Sequence, residues 1–234
     1  MTREGVRRLG RAVREGDLRG IAILASRGLL VVRYDRMLVL ASPVLEPRPA
    51  DSGAASLASD LSVREALAID LDGLSRLFPH NASRYAERMR LGDQCLLILR
   101  GADVIGMTWI GFDLDAPREL GCAIHMPVGS CWEYDTFVLP EHRSLGAFAF
   151  LMRELFRRLP ARGIGRVFAA VGHLNRASRV AHGRLGFTAA GAIDRCLLLG
   201  IPFIRATDTA GEVAWSRGGG ARQPVLRLPG GRNA

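Results

Sequence analysis

The spacing of apolar and polar residues predicts different structures along the first quarter of the chain. Apolar residues recur three and four positions apart over residues 2–16, which predicts a helix. The apolar run Ile21–Val32 fits either a helix or a strand, and Arg33–Leu40 has the pattern of a strand. Residues 46–60 are rich in Pro, Ala, Ser and Gly, which is typical of a linker.

A more regular alternation of helices and strands follows the linker. Strands are predicted at Ser62–Ala66, Cys95–Leu99, Val104–Phe112, Cys131–Leu139, Arg166–Val171 and Ala192–Leu199. Helices are predicted at Asp70–Phe78, Ala82–Leu91, Leu145–Leu159 and Arg176–Leu185. The segment Arg100-Gly101-Ala102-Asp103 indicates a hairpin between the second and third strands. The mixed order predicts an α/β (α+β) protein.

These patterns divide the chain into four segments. Residues 1–45 form a basic N-terminal extension with a helix and an apolar segment or strand, and residues 46–60 form the linker. Residues 61–215 form the main domain. Residues 216–234 combine Gly, Arg and Pro without periodicity, which predicts a disordered tail.

Charge and composition limit the class of protein and its partners. The 234 residues carry a net charge of +9, with nine Arg against four acids in residues 1–45 and four Arg against one acid in residues 212–234. The middle of the chain is nearly neutral, so the basic ends are either solvated surface or contacts for nucleic acid or anionic lipid. No apolar run reaches the ~18–20 residues of a membrane-spanning helix. The four cysteines are scattered without paired spacing, which predicts a cytoplasmic protein without disulfides.

The most informative stretch is a strand, a glycine turn and a helix between Pro140 and Leu159. Backbone N–H groups at a helix start have no intrahelical partner, and the helix dipole adds partial positive charge there. This turn therefore suits a phosphate or pyrophosphate, and Arg143 adds a positive charge beside Gly146. Gly is also common in ordinary turns, so the turn alone is weak evidence.

A polar stripe on the helix after the next strand adds to this pattern. Asn175 opens the helix, and His182 lies two turns further on nearly the same face. Ser178 and Arg179 flank the line between them. The stripe offers an amide, a hydroxyl and an imidazole.

These motifs resemble those of the GNAT superfamily of acyl-CoA-dependent N-acyltransferases, over roughly Leu61 to Leu199. The family's phosphate motif, Arg or Gln followed by Gly and then Gly or Ala, falls on Arg143, Gly146 and Phe148. The family's later asparagine falls on Asn175, and its Gly-Phe on Gly186-Phe187.

The resemblance implies a fold and a co-substrate. The fold is a central, mixed, mostly antiparallel twisted sheet with a splayed strand pair, flanked by helices, and here with a short N-terminal extension. The co-substrate is acetyl-CoA or another acyl-CoA, and no metal is expected. The implied contacts with it are Phe137, Val138, Leu139, Arg143, Ser144, Leu145, Gly146, Ala147, Phe148, Asn175 and Ser178.

Two residues depart from the pattern of the resembling family. Phe148 stands where the family usually has Gly or Ala, so its ring either crowds the pyrophosphate or points into the core while its N–H still donates. His182 stands where many relatives carry a tyrosine that protonates the leaving thiolate. An imidazole can take this acid role, or it can be a surface side chain or a group that stacks on the cofactor.

Two carboxylates on the strand Cys131–Leu139 are the candidates for the general base. Simple alternation places Glu133, Asp135 and Phe137 on one face. Buried carboxylates are costly, so the pair either binds an amine and relays its proton, or consists of one ion-paired and one solvated group. The predicted catalytic residues are Glu133, Asp135 and His182.

The sequence therefore predicts transfer of an acyl group from acyl-CoA to a primary amine by direct attack in a ternary complex. The acceptor is expected to be a small-molecule amine, with amino sugars and lipid-linked intermediates as candidate classes. The protein is expected to make peripheral membrane contact at most and to bind no specific nucleic acid. It is expected to be a monomer or a homodimer. The alternatives are a catalytically inactive CoA-binding or sensor module of the same fold, and a nucleic-acid-binding protein that uses its basic termini.

Overall fold

The structure is a computed structural model that describes residues 3–26, 32–44, 60–112, 115–116, 122–217 and 225–229. The helices are α1 (Arg3–Arg14), α2 (Leu18–Ser26), α3 (Leu71–Leu77), α4 (Tyr85–Arg90), α5 (Ala147–Arg158) and α6 (Arg176–Arg184). The first strands are β1 (Val32–Pro43), β2 (Leu61–Glu65), β3 (Gln94–Arg100), β4 (Asp103–Gly111), β5 (Asp115–Ala116) and β6 (Ala123–His125). The later strands are β7 (Ser130–Val138), β8 (Arg166–Gly172), β9 (Thr188–Leu198), β10 (Ile201–Asp208), β11 (Val213–Arg217) and β12 (Val225–Arg227).

The chain forms two compact units. Unit 1 comprises Met1–Ala41, Leu114–Val128 and Ala170–Ala234, and unit 2 comprises Ser42–Asp113 and Gly129–Ala169. The predicted class, a mixed α and β fold with a mostly antiparallel sheet flanked by helices, is confirmed. Among the described residues, no helix is long and apolar enough to cross a membrane.

Unit 2 is built on strands in the order β8-β7-β4-β3-β2, with α3, α4 and α5 around them. The hairpin of β3 and β4 has the predicted turn, since Arg100 pairs with Asp103 and Gly101 has a φ of 59°. A buried cluster packs the segment of α3 and α4 on this sheet. Its members are Ala66, Leu74, Phe78, Tyr85, Cys95, Leu97, Met107 and Trp109.

Strands β7 and β8 pair over only part of their length. Their parallel register runs from Ser130 opposite Arg166 to Glu133 opposite Ala169, whereas β7 continues to Val138. On its other side β7 stays paired with β4 as far as Val138 opposite Gly106. The paired part of β7 and β8 therefore ends at Glu133.

Unit 1 contains strands in the order β11-β10-β9-β1 and a small sheet of β12, β6 and β5. Strand β1 pairs with β9 from Val32 opposite Leu198 to Ala41 opposite Thr188. The strand predicted in the N-terminal extension therefore belongs to this sheet. The ambiguous run that begins at Ile21 is helical in α2 as far as Ser26. The rest of that run up to residue 31, and residues 46–59 of the predicted linker, lie outside the described residues.

Strands β10, β11 and β12 are not predicted by the sequence pattern. The β9–β10 hairpin turns at Leu199 and Gly200, both with positive φ, and Leu-Gly is a much weaker turn signal than Asn-Gly. The segment predicted as a disordered tail contains the end of β11 and all of β12, where Leu226 is buried and pairs with Ile124 of β6. A three-residue strand inside a Gly-rich and Arg-rich segment leaves no periodic signal.

Candidate active site

The turn that follows β7 differs in detail from the predicted start of the helix. Pro140–Leu145 forms a 3-10 turn, Gly146 has a φ of 70°, and α5 begins at Ala147. The predicted start at Leu145 is therefore wrong by two residues. The reason is the left-handed backbone of Gly146, which interrupts the helix and which residues other than glycine adopt at a cost. The side chains of Ser144 and Leu145 lie outside the description.

The start of α5 has the features of an anion site. The N–H of Phe150 donates to the Gly146 carbonyl at 2.9 Å, and Gly146, the residue before the helix, has no side chain with which to cap it. The N–H of Ala147 precedes the first intrahelical hydrogen bond, so the helix itself gives it no acceptor. A Cβ placed on Gly146 would meet no heavy atom within 4 Å, so there is open space beside the turn. These features fit a pyrophosphate.

Phe148 does not need to crowd this site. Three buried residues of α5, Leu151, Met152 and Leu155, follow it at spacings of three, four and seven. Phe148 itself is partly buried, as expected for a residue on the core-facing stripe of the helix. The expectation that the ring packs inward while the N–H stays at the helix start remains a prediction.

The last residues of β7 offer backbone groups on the side away from β4. The Leu139 N–H donates to the Ile105 carbonyl of β4 at 2.9 Å. Because neighbouring residues of a strand direct their backbone groups to opposite sides, those of Val138 point away from β4. Arg143 donates from Nε to the Val138 carbonyl at 2.9 Å, and its guanidinium lies 5.2 Å from the half-exposed ring of Phe137. Arg143 thus ties the phosphate turn to the end of β7.

A bulge in β7 changes the predicted arrangement of the two carboxylates. Between the pairs Trp109–Tyr134 and Met107–Phe137, β4 has one residue and β7 has two. The first of these two, Asp135, has a φ of 47°. The prediction that Glu133 and Asp135 share a face is therefore wrong, because simple alternation does not survive an extra residue.

Glu133 lies on the Thr108 side of the strand pair. Its carboxylate accepts a hydrogen bond from Thr108 Oγ1 at 3.2 Å and another from Thr136. The two threonine hydroxyls are themselves 2.6 Å apart. Glu133 is 3% exposed, whereas Thr136 is only partly buried. The hydroxyl of Thr136 therefore links a buried carboxylate to a more accessible position.

Asp135 lies on the opposite side and is held by two residues that the sequence did not single out. Its Oδ2 accepts from Arg88 Nη1 at 2.7 Å and from Asn81 Nδ2 at 2.9 Å. Arg88 is only 5% exposed. The sequence does contain one feature that could have identified Arg88. It lies three residues after Tyr85, on the buried side of α4, and a buried arginine requires an acidic partner.

Three aromatic rings surround the Arg88 guanidinium. Its central carbon is 4.7 Å from the ring centre of Tyr134, 5.4 Å from that of Trp109 and 5.8 Å from that of Tyr85. Burial raises the pKa of Tyr85 to about 12, and the charge of Asp135 adds to the rise. Burial, and then the hydrogen bond to Asp93, raise the pKa of Tyr134 well above its ordinary value. Both phenols therefore stay protonated near neutral pH and are poor candidates for a base.

The predicted polar stripe lies on α6, in unit 1. Asn175 is the residue before the helix, and its Oδ1 accepts from the Ser178 N–H at 3.2 Å as an N-cap. His182 is buried, with Nδ1 2.8 Å from the Ser178 carbonyl oxygen and its ring 4.9 Å from that of Phe187. A ring nitrogen that faces a carbonyl must carry the proton, so Nδ1–H is the donor and the neutral imidazole has its lone pair on Nε2.

The predicted site residues thus fall into two groups. Unit 2 contains Glu133, Asp135, Phe137, Val138, Leu139, Arg143, Ser144, Leu145, Gly146, Ala147 and Phe148, and unit 1 contains Asn175, Ser178 and His182. In unit 2, Glu133 with Thr136 and Asp135 with Arg88 form two separate polar groups. Among the described residues, no group of three or more His, Cys, Asp or Glu side chains is arranged to hold a metal ion.

Comparison with solved structures finds proteins of similar fold. A putative acetyltransferase of the GNAT family from Novosphingobium aromaticivorans superposes with a TM-score of 0.50 at 17% identity, covering 71% of this chain and 64% of the other. A glucosamine N-acetyltransferase region of a fungal multi-domain β-N-acetylglucosaminidase gives a TM-score of 0.54 at 16% identity, covering 76% and 22%. A functionally unknown protein from Staphylococcus epidermidis gives 0.50 at 10% identity, covering 74% and 65%. The chain spans less than two thirds of each of these proteins.

Sequence comparison gives the family. No curated protein matches the sequence significantly. The family model described as "Acetyltransferase (GNAT) family" matches residues 64–187, which is more than half of the chain and includes the end of β7, the Gly146 turn and α6. The protein therefore belongs to the GNAT acetyltransferase family.

Proposed function

We propose that this protein transfers an acetyl or other acyl group from acyl-CoA to a primary amine in a ternary complex. The observation that carries the proposal is the left-handed Gly146 turn at the start of α5, which follows the part of β7 that continues beyond its pairing with β8. Membership of the GNAT acetyltransferase family supports this reaction class. Acyl-CoA supplies the activated acyl group, and CoA leaves as the free thiol.

Residues of unit 2 hold the co-substrate in this proposal. The N–H of Ala147 at the start of α5 binds the pyrophosphate, with Gly146 leaving space for it. Arg143 adds positive charge while it stays anchored to the Val138 carbonyl. Phe137, Val138 and Leu139 line the pantetheine arm, and the Val138 N–H stabilises negative charge that develops on the acyl oxygen. For Asn175 and Ser178, which lie in unit 1, contact with the co-substrate stays a prediction from the sequence.

Glu133 is the proposed base, with Thr136 as its relay. The attacking amine must lose a proton, and Glu133 is too deeply buried to receive it directly. The Thr136 hydroxyl donates to Glu133 and is partly accessible, so a proton passes from amine to hydroxyl as the hydroxyl proton passes to the carboxylate. Asp135 is the weaker candidate, because Arg88 and Asn81 occupy its carboxylate oxygen Oδ2.

His182 is the proposed acid for the leaving thiolate. Since its Nδ1–H is engaged with the Ser178 carbonyl, the proton that it gives must come from Nε2 of a doubly protonated ring. The hydrogen bond to Ser178 holds the ring in place between α6 and Phe187. The imidazole thus takes the place that tyrosine has in the resembling enzymes.

The acceptor is proposed to be a small-molecule amine, with amino sugars first. One protein of similar fold is described as a glucosamine N-acetyltransferase region, which makes glucosamine a reasonable first probe. Lipid-linked amines are the second class, because α1 carries Arg7, Arg8, Arg11 and Arg14 on its exposed surface. The basic helix and a membrane surface would then bring enzyme and acceptor together.

Two measurements test the proposed function in sequence. First, acetyl-CoA at 100 times its dissociation constant is expected to stabilise the full chain by about 2.7 kcal/mol in thermal unfolding. Second, free CoA thiol is measured while the protein is mixed with acetyl-CoA and with glucosamine, other amino sugars, amino acids, polyamines and peptide N-termini. Amine-dependent release supports the proposal. Stabilisation without release from any amine supports the inactive CoA-binding module, and no stabilisation contradicts both.

A further inference from the structure

The bulge at Asp135 lies where β7 leaves its neighbour. Glu133 is the last β7 residue paired with β8, and Asp135 follows two positions later with a left-handed backbone. Residues other than glycine adopt this conformation at a cost, although aspartate tolerates it better than most. Something must therefore hold the bulge, because a regular strand at this point would reverse the direction of every later side chain and backbone group.

The contacts of Asp135 supply that restraint. Arg88 Nη1 and Asn81 Nδ2 both donate to Asp135 Oδ2, at 2.7 and 2.9 Å. Arg88 is fixed in turn by its burial and by the rings of Tyr85, Trp109 and Tyr134. We call Asn81, Arg88 and Asp135 the bulge clamp. A buried charge pair of this kind is costly to break from one side, because the remaining charge loses its partner.

The backbone beyond the bulge is the part of β7 that the proposed reaction uses. Val138 directs its N–H and C=O away from β4, and its carbonyl anchors Arg143. One extra residue in β7 decides this direction, since neighbouring residues of a strand alternate. The bulge therefore determines which backbone groups face the acyl carrier.

From this arrangement we infer that Arg88 and Asn81, acting through Asp135, are positioning residues for acyl transfer. The bulge clamp holds the left-handed turn of β7 and so sets the direction of the Val138 backbone groups and of Arg143. Asp135 is then an anchor for the strand and does not take the proton of the acceptor amine. This inference rests on the proposed function, because it assigns the purpose of the clamp from the role of Val138.

The test compares Arg88→Met and Arg88→Lys with a control, Arg64→Met. Arg64 also forms an ion pair with an aspartate of the same unit, Asp70, which lies outside β7, although the Arg64 side chain is more exposed than that of Arg88. Two quantities are measured on the full chain: the dissociation constant for acetyl-CoA, and hydrogen exchange of a peptide that covers Tyr134–Val138. Arg88→Met is expected to weaken acetyl-CoA about tenfold and to speed exchange in this peptide, because small displacements at a site are amplified in binding and rate.

The conservative variant keeps the test decisive if Arg88→Met does not fold. Arg88→Lys keeps the charge but lacks the planar group that fits the three rings. We therefore expect a smaller loss of acetyl-CoA affinity and a smaller increase in hydrogen exchange than in Arg88→Met. Arg64→Met is expected to leave both at the wild-type level. If the folded Arg88 variants match Arg64→Met in acetyl-CoA affinity and in exchange, the inference is overturned.

Asp135→Asn separates positioning from proton transfer. The amide keeps an oxygen for Arg88 and Asn81 and tolerates the left-handed backbone, but it leaves the Arg88 charge without its partner, so acetyl-CoA affinity and turnover with an acceptor from the amine screen should fall together, by less than about tenfold. Loss of turnover with unchanged acetyl-CoA affinity would identify Asp135 as the base and reject the clamp. If the wild type binds no acetyl-CoA, the proposed function fails, whereas the exchange measurement still decides whether Arg88 holds β7.

Discussion

Asp17 and His173 are joined by hydrogen bonds of 2.8 and 3.0 Å between the two carboxylate oxygens and Nε2, although 156 positions separate them in the sequence. Asp17 Oδ1 also accepts from the Gly20 N–H at 2.9 Å, at the start of α2. One carboxylate therefore begins a helix of the N-terminal extension and connects it to the segment after β8, within unit 1. Arg176 and Glu15 add a second ion pair between the same two segments.

Asp17 gives a pH-dependent contribution to stability. Burial alone raises the pKa of Asp17, but the hydrogen bond from Gly20 and the hydrogen bond and charge of His173 outweigh it, so the pKa lies below its ordinary value. A carboxyl with a lowered folded-state pKa stabilises the fold above its unfolded-state pKa of ~3.9, and this stabilisation is lost as pH falls through the folded value. Asp17→Asn should reduce the free energy of unfolding by about 1 kcal/mol near pH 7.

Urea unfolding at several pH values checks this expectation. The difference between Asp17→Asn and the wild type should shrink as the pH falls below about 4. Asp103→Asn is the control, because Asp103 is exposed in the β3–β4 turn. An Asp17 effect that is no larger than the control at neutral pH would contradict the importance of the Asp17–His173 contact.

The anion site at Gly146 is tested by a pair of equivalent glycines. Gly146 and Gly163 both have a φ of 70°, and at both a Cβ would meet no heavy atom within 4 Å. Glutamate at either position therefore costs similar backbone strain, of about 1 kcal/mol. Only Gly146→Glu places bulk and negative charge at the start of α5, so we expect it to abolish acetyl-CoA binding in calorimetry while Gly163→Glu retains it. Equal affinities in the two variants would show that the pyrophosphate binds elsewhere.

His182 should matter more for turnover than for binding. His182→Phe keeps a ring against Phe187 but removes the proton donor, so we expect kcat to fall about a hundredfold and acetyl-CoA affinity to change less than threefold. His182→Tyr provides an O–H donor and should recover part of the rate. The measurement is steady-state thiol release beside calorimetric binding. Parallel losses of kcat and affinity in His182→Phe would indicate that the imidazole holds the co-substrate instead.

The thiols provide an independent check of burial. Burial raises the pKa of Cys95, Cys122 and Cys131 to about 12 each, whereas Cys196 is only partly buried. Thiolate is the reactive form, so at pH 8 a thiol reagent should label Cys196 quickly and the other three slowly. All four should react in denaturant. Rapid labelling of Cys131 in the native protein would contradict its place in the buried part of β7.

The sequence was sufficient wherever one short segment determines its own structure. The β3–β4 hairpin depends on a local turn with glycine at Gly101, and α6 depends on the Asn175 cap, so both are readable from neighbouring residues. The phosphate turn is similar, since Arg143 and Gly146 are three positions apart. The sequence predicted its place but not the left-handed backbone of Gly146, which moved the start of the helix.

The bulge at Asp135 could not be predicted in the same way. Its restraint comes from Arg88, 47 positions earlier, and from Asn81, 54 positions earlier. Alternation of side chains between the two faces holds only while each residue of a strand is opposite one residue of the neighbouring strand. An extra residue moves every later side chain to the other face. Simple alternation therefore predicted that Glu133 and Asp135 share one face. The bulge that Arg88 holds through Asp135 makes that prediction wrong.

The small strand β12 is one part of the fold that the sequence did not predict, and one substitution tests it. Leu226 is 2% exposed and pairs with the buried Ile124 of β6, while its neighbour Val225 is 45% exposed. Leu226→Ala should lower the free energy of unfolding by about 2–3 kcal/mol, because the cavity adds to the lost transfer energy. Val225→Ala, on the same strand, should cost less than about 0.5 kcal/mol. Urea denaturation measures both, and equal small effects would mean that the segment is not part of the folded core.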